Sequence, residues 1–170
     1  IWVALIAFII IMYVILDGFT LGVGLLFPWI KDDQNRDLMV STVLPVWDGN
    51  QTWLVLGLAS LYGAFPLAFS ILLPIFYLPL LLLVVALLFR GVAFEFRIKS
   101  TNYKHQWDKL FIIGSIISTL IQGYILGTFV EGFSVTNGIY NIKNSFSGFT
   151  IMTAFSLVVG YSLLGACRLI

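Results

Sequence analysis

Charge is what this sequence has least of. Of its 170 residues only 10% are Asp, Glu, Lys or Arg, against 60% hydrophobic, and the mean hydropathy is +1.03. A soluble domain carries about 25% charged residues, so the composition excludes a soluble globular protein and requires an integral membrane one. Nine basic and eight acidic side chains leave a net charge of +1. No basic tract is present, which excludes nucleic acid as a partner. The single cysteine, Cys167, excludes an internal disulfide and a CxxC metal knuckle. The single histidine, His105, lies in a polar stretch and reads as a solvated surface residue. Haem in a helix bundle usually takes His, Met or Cys as axial ligand, and none of Met12, Met39, Met152 or Cys167 has a histidine partner in a span. The chain alone is therefore not expected to ligate haem. It opens at Ile1 directly into an apolar run, without a basic leader segment or small-residue cleavage site. The expected organisation is one membrane domain over 1–170, the N-terminal portion of a longer subunit.

What is present is a set of apolar runs. A spanning helix needs ~20 apolar residues, and the sequence predicts an all-α bundle of about five spans, at 1–30, 38–69, 71–94, 110–130 and from 148 to the end. The segments 31–37, 98–109 and 131–147 are predicted to be loops. If loops alternate sides, Lys31, Arg36, Arg90, Arg97, Lys99, Lys104, Lys109 and Arg168 fall on one side and only Lys143 on the other, which marks the first side as cytoplasmic. Gly18 and Gly22, and again Gly123 and Gly127, have the small-xxx-small spacing that lets helices approach closely; plain packing is the simpler explanation for them.

Against this background the segment Trp47-Asp48-Gly49-Asn50-Gln51-Thr52-Trp53 is costly. With Pro45 freeing a carbonyl just before it, Asp48 falls on the order of 15 Å inside the second span at ~1.5 Å per residue. An ionisable group in hydrocarbon costs roughly 2.5–3.5 kcal/mol or more, so it is paired, hydrated or functional. Asp48, Gln51 and Thr52 share a helical face. A face of carboxylate, amide and hydroxyl can order water and pass protons, and Asp48 with Asn50 and Gln51 is the candidate path. The competing structural explanation is that Asp48 caps a broken helix or pairs with Arg90. Arg90 cannot lose its proton and needs a partner. Asp17 has no opposite charge within a turn, so its partner must come from another span or chain. Glu95 can reach the surface or a partner subunit, and Arg97, near a span end, fits a snorkelling side chain.

The motifs Asp17-Gly18-Phe19-Thr20-Leu21-Gly22-Val23-Gly24, Arg36-Asp37-Leu38-Met39-Val40, Trp47-Asp48-Gly49-Asn50-Gln51-Thr52-Trp53-Leu54 and Phe89-Arg90-Gly91-Val92-Ala93-Phe94-Glu95-Phe96-Arg97, in this order, resemble subunit II of the cytochrome bd-type quinol oxidases. The resemblance implies a complex of the bacterial cytoplasmic membrane that oxidises quinol and reduces dioxygen to water. It implies that haems b and d belong to a haem-bearing subunit I, that none is ligated by this chain, and that small accessory single-span subunits and lipid are further partners. It also implies that Asp48 begins a proton path from the cytoplasm, with Asp17, Trp47, Arg90 and Asp108 at matching family positions. Some members of the family carry a second acid three residues after Asp17, where this chain has Thr20. A multispan secondary transporter, with a midplane polar site between broken helices, is the alternative that the residues alone leave open.

Overall fold

The computed structural model describes residues 1–100, 103–136, 139–143 and 146–170. Its helices are α1 (Trp2–Leu26), α2 (Asp33–Val43), α3 (Trp47–Ala64), α4 (Pro66–Lys99), α5 (Lys104–Glu131) and α6 (Gly148–Leu169). Proline sets several of their limits. Pro28 lies in a short 3-10 turn over Phe27–Trp29 that closes α1, Pro45 lies in the turn between α2 and α3, and Pro66 takes the first position of α4, where its missing N–H costs nothing. Asp32 caps α2 by accepting from the Asn35 N–H at 3.2 Å, and Ser147 caps α6 by accepting from the Thr150 N–H at 3.0 Å.

Four helices, α1, α4, α5 and α6, are long and apolar enough to cross a membrane. The fifth expected span is absent from that set because its sequence is diluted by the polar run at 48–52 and broken at 44–46. Helix directions nevertheless require a crossing there. Gly18 and Gly22 pack on Tyr161 and Gly165, so α1 and α6 are parallel; Gly123 and Gly127 meet Ala154 and Thr150, so α5 is antiparallel to α6; Gly114 meets Ala86 and Arg90, while Phe76 meets Phe133 just beyond the end of α5, so α4 runs with α1. The start of α4 therefore lies on the same side as the start of α1, and residues 27–65 must carry the chain back. They do so as α2, then the break at Pro45, then α3, which runs antiparallel to α1 through Asn50–Leu16, Trp53–Phe8 and Gly57–Ile9.

Several expected boundaries shift. The third span lengthens to Pro66–Lys99, and α5 begins at Lys104, so most of 98–109 is helix and not loop. Hydropathy marks where apolar residues stop, and these helices continue past that point into water. The stretch expected as a loop after α5 contains a two-stranded antiparallel hairpin, β1 (Phe133–Thr136) and β2 (Ile139–Ile142), in the register Phe133↔Ile142 and Ser134↔Asn141.

The main apolar cluster sits at the end of the bundle that carries most of the positive charges, where Val23, Phe27, Met39, Val40, Val43, Ala93, Phe94 and Phe111 meet. It holds the broken second span against α1, α4 and α5. In a membrane, packing and interhelical hydrogen bonds replace the hydrophobic effect as the driving force between helices. The polar contacts that follow therefore weigh heavily.

Candidate functional site

Asp17 on α1 and Arg90 on α4 form a fully buried ion pair. Arg90 Nη2 lies 2.6 Å from Asp17 Oδ1, and both residues are 0% exposed. Thr20, one turn after Asp17, closes the group: its hydroxyl donates toward Asp17 Oδ1 at 2.6 Å or the Asp17 carbonyl at 2.8 Å, and accepts from Arg90 Nη1 at 3.2 Å. Asp17 Oδ2 and Arg90 Nε have no hydrogen-bond partner. The partner required for each charge is thus the other one, across 73 residues. The alternative pairing of Asp48 with Arg90 is corrected by this geometry.

Asn50 reaches the same region from α3. It is buried, and its Nδ2 donates to the Leu16 carbonyl at 2.7 Å, one residue before Asp17. Asp48 lies in the first turn of α3 and is exposed on the surface of the chain; Gln51 is half-buried, with an enclosed Nε2 that bonds nothing. Thr52 turns back to the Asp48 carbonyl at 3.1 Å. Trp47 leans on Phe94, ring centroids 5.9 Å apart, and lies against Gly91, where a Cβ would come within 2.9 Å of the indole. Trp47 so fixes the level of Asp48 beside Gly91, eight residues inside the end of α4, or about 12 Å at 1.5 Å per residue. The expected depth of Asp48 counts along an unbroken helix from Leu38, and the turn at 44–46 breaks that count.

Nearer the cytoplasmic end a second polar group ties α2, α4 and α5 together. Asp108 accepts from Arg97 Nε at 2.5 Å and Arg36 Nη1 at 3.0 Å; Asp37 accepts from Arg97 Nη1 at 2.5 Å and Lys104 Nζ at 3.1 Å. Both guanidinium groups lie over the Phe27 ring, at 5.2 and 5.7 Å. Arg97 is 2% exposed, so it does not snorkel as its position suggests: two carboxylates from other helices hold it inside. Glu95 faces outward and pairs with Lys99 at 2.9 Å, both exposed.

The hydrogen bond from Arg97 holds the Asp37 carboxyl below its ordinary value of 3.8. A depressed folded-state pKa means that this contribution is complete above pH 3.8 and is lost as pH falls through the lower folded value. Asp37 is about half exposed, so the effect is modest, about 1 kcal/mol or less. Thermal melts are expected to show an acid-side drop below pH 4 that is shallower in Asp37→Asn; equal acid slopes in the two proteins would contradict the assignment.

One further polar trio is not among the sequence expectations. Gln122 on α5 donates from Nε2 to the Tyr13 hydroxyl and accepts from the Tyr161 hydroxyl, each at 2.8 Å. It sits at one end of an apolar cleft of about 440 Å³ between α1, α3, α4, α5 and α6. Tyr13, at i−4 from Asp17, was the available hint. Among the described residues no three of His, Cys, Asp and Glu converge on a metal position. His105 stands exposed in the first turn of α5, Met39 is locked in the apolar cluster, and Cys167 is exposed.

The fold and site define a multi-pass helical membrane protein whose helices are tied together by buried charges. The model of the cytochrome bd terminal oxidase subunit II family matches residues 1–170, and the chain belongs to that family. It is similar to cytochrome bd-I ubiquinol oxidase subunit 2 of Escherichia coli (strain K12), 31% identical over 97% of this chain and 45% of the relative. It is also similar to cytochrome bd ubiquinol oxidase subunit 2 of Bacillus subtilis (strain 168), 32% identical over 79% of this chain and 40% of the relative, and to a probable cytochrome oxidase subunit 2 of Haemophilus influenzae, 31% identical over 94% and 43%. The chain spans less than half the length of these relatives. It is a multi-pass protein of the cytoplasmic membrane.

Proposed function

We propose that this chain is the non-haem-ligating part of a bacterial bd-type quinol:oxygen oxidoreductase, stabilising a haem-bearing partner subunit and contributing a proton path from the cytoplasm. The observation that supports this reading is an exposed carboxylate, Asp48, in the same turns of α3 as the half-buried Gln51 and the buried Asn50, whose amide bonds the Leu16 carbonyl next to Asp17. Asp48 is exposed and has no ion-pair partner within the described residues. Asp17 is committed to Arg90 and Thr20, and giving it a proton would leave a buried guanidinium unpaired. Asp48 takes up the proton, the amides of Asn50 and Gln51 orient water beside it, and the Asp17–Arg90 pair sets the local potential without itself carrying the proton. Trp47 and the Arg36–Asp108–Arg97 group hold the level of the α3 start and are structural. Haems b and d in the partner subunit would supply the oxygen chemistry, and quinol the electrons.

The transporter alternative has a broken helix in its favour, but family membership accounts for the same feature without a substrate site. Asp48→Asn in the intact complex keeps the shape and removes the titratable group. Oxygen consumption and coupled proton uptake are expected to fall together, by about tenfold or more, with the haem spectrum retained. Unchanged rates would defeat the proton path, and loss of the haem spectrum would instead assign Asp48 a structural role.

A further inference from the structure

The two atoms of the Asp17–Arg90 pair that bond nothing lie toward each other. A guanidinium sends its Nε–H and one Nη2–H out of the same edge, so with Nη2 on Asp17 Oδ1 at 2.6 Å the Nε–H is directed at the same carboxylate. The second oxygen, Oδ2, does not meet it, and both atoms are buried and unpartnered. A third such atom is the hydroxyl of Ser118 on α5, a residue 0% exposed. The neighbouring hydroxyls of Ser115 and Thr119 each donate to the backbone carbonyl four residues earlier, at 2.8 Å, the usual resort of a hydroxyl within a helix. Ser118 is turned away from its own backbone.

The packing of α5 sets Ser118 level with the pair. One turn before it, Gly114 rests on Ala86 and Arg90; one turn after it, Gln122 donates to the Tyr13 hydroxyl at 2.8 Å. Tyr13 is one turn before Asp17 on α1, which runs antiparallel to α5, so the step back from Gln122 to Ser118 matches the step on from Tyr13 to Asp17. The contact of Gly24 with Ser115 bounds the same interval from the other side. Tyr13 adds a fourth group. Gln122 Nε2 occupies a lone pair of its oxygen, and the Tyr161 hydroxyl holds Gln122 in turn, at 2.8 Å. The Tyr13 O–H is therefore left to point at the Asp17 carboxylate that it faces.

We infer that an ordered water molecule is bound among Asp17, Arg90, Ser118 and Tyr13 as a fixed part of the fold. It donates to Asp17 Oδ2 and accepts from Arg90 Nε, and the hydroxyls of Ser118 and Tyr13 complete its bonds. A buried water takes two to four polar partners of this kind, and leaving any of these groups unbonded is costly. An ion does not suit the place, since the guanidinium repels a cation and the carboxylate an anion. The ligand that fits is neutral and carries both donors and acceptors. It lies on the α5 side of the pair, whereas Asn50 approaches from α3. The water thus holds the two buried charges in place and is independent of the path proposed from Asp48.

The test is made on the complete complex. A cryo-EM map that resolves ordered water is expected to show one within hydrogen-bond reach, about 2.5–3.2 Å, of Asp17 Oδ2, Arg90 Nε and Ser118 Oγ. A map in which Oδ2 closes directly on Nε, or in which Ser118 donates to the Gly114 carbonyl, overturns the inference. A second measurement compares the melting of Ser118→Ala and Ser118→Val. Alanine leaves the water its other three partners, while valine puts a methyl group where the water sits. Ser118→Val is expected to melt several degrees below Ser118→Ala. In a dry site the order reverses, because valine fills space that alanine leaves open. The pair Ile117→Ala and Ile117→Val, on the exposed face of α5, supplies the part of the difference owed to helix propensity. A difference at Ser118 no larger than that at Ile117, or of opposite sign, overturns the inference.

Discussion

Replacing Arg90 by methionine is expected to remove most of this subunit from the membrane. The substitution leaves Asp17 buried at 0% exposure with its charge and without its cation, and breaking a buried pair from one side costs about 3–5 kcal/mol. That is on the order of a hundred- to several thousandfold in the folded fraction, approaching the whole margin of many domains. The double variant Arg90→Met/Asp17→Asn should recover much of the loss, because the remaining amide is neutral and keeps one acceptor for the Thr20 hydroxyl. Thr20→Val alone should cost less, about 1–3 kcal/mol, since it removes one donor to Asp17 and one acceptor for Arg90 but leaves the charges paired. The measurement is the amount of subunit in washed membranes together with the haem absorption that co-purifies with it. If Arg90→Met accumulates normally and the double variant is no better, the pair does not hold α1 to α4. Thr20→Asp offers a related comparison: it would place two carboxylates around one guanidinium, and the extra charge must be neutralised or the cluster loosened.

This group shows where sequence reasoning reached and where it stopped. That Arg90 needs an acid, and that Asp17 needs a cation from elsewhere, follows from chemistry alone. Which acid serves Arg90 does not, because Asp48 and Asp17 fall at similar depths and only the packing of α1 on α4 chooses between them. Pro45 was legible as a break, and the structure places the turn there. The ends of α4 and α5 were not legible, because a hydropathy window sees the change from apolar to polar and not the helix that continues through it from Phe94 to Lys99 or from Lys104 to Lys109. Arg97 illustrates the same limit. Its position at a span end suggested a side chain reaching for water, but Asp37 and Asp108 are brought to it by α2 and α5, and contacts between helices distant in sequence leave no local signal. Gln122 is similar, a lone amide whose two tyrosine partners lie 109 and 39 residues away.

The small-xxx-small glycines of α1 pack directly on α6, Gly22 against its backbone. A Cβ at Gly22 would lie 1.8 Å from the Tyr161 carbonyl oxygen and 2.8 Å from the Gly165 nitrogen; a Cβ at Gly165 would lie 2.4 Å from the Gly22 carbonyl carbon. The obstacles are backbone atoms on both sides, so no rotamer change relieves them and the two helices must part. Gly22→Ala and Gly165→Ala are each expected to destabilise the subunit by about 3 kcal/mol or more, above the range usual for overpacked sites. Gly24→Ala is expected to be milder, because its obstacles are side-chain atoms, the Ser115 Oγ at 2.0 Å and Cβ at 2.6 Å and the Phe111 ring at 3.0 Å; Ser115→Ala removes the first of these and leaves the other two, so the pair Gly24→Ala/Ser115→Ala should recover only part of the loss. Melting of the purified complex gives the order, and a Gly22→Ala protein that melts with the parent would refute the α1–α6 contact. The consequence reaches the ion pair, since Asp17 and Thr20 lie in the same turns as Gly18 and Gly22. The missing side chains on that stretch bring α6 close enough to seal the polar turn of α1, and separating the helices should expose Asp17 before it breaks the pair. Gly22→Ala is therefore expected to alter proton uptake in whatever complex survives, whereas Gly160→Leu, on the open side of α6, should change neither melting nor turnover.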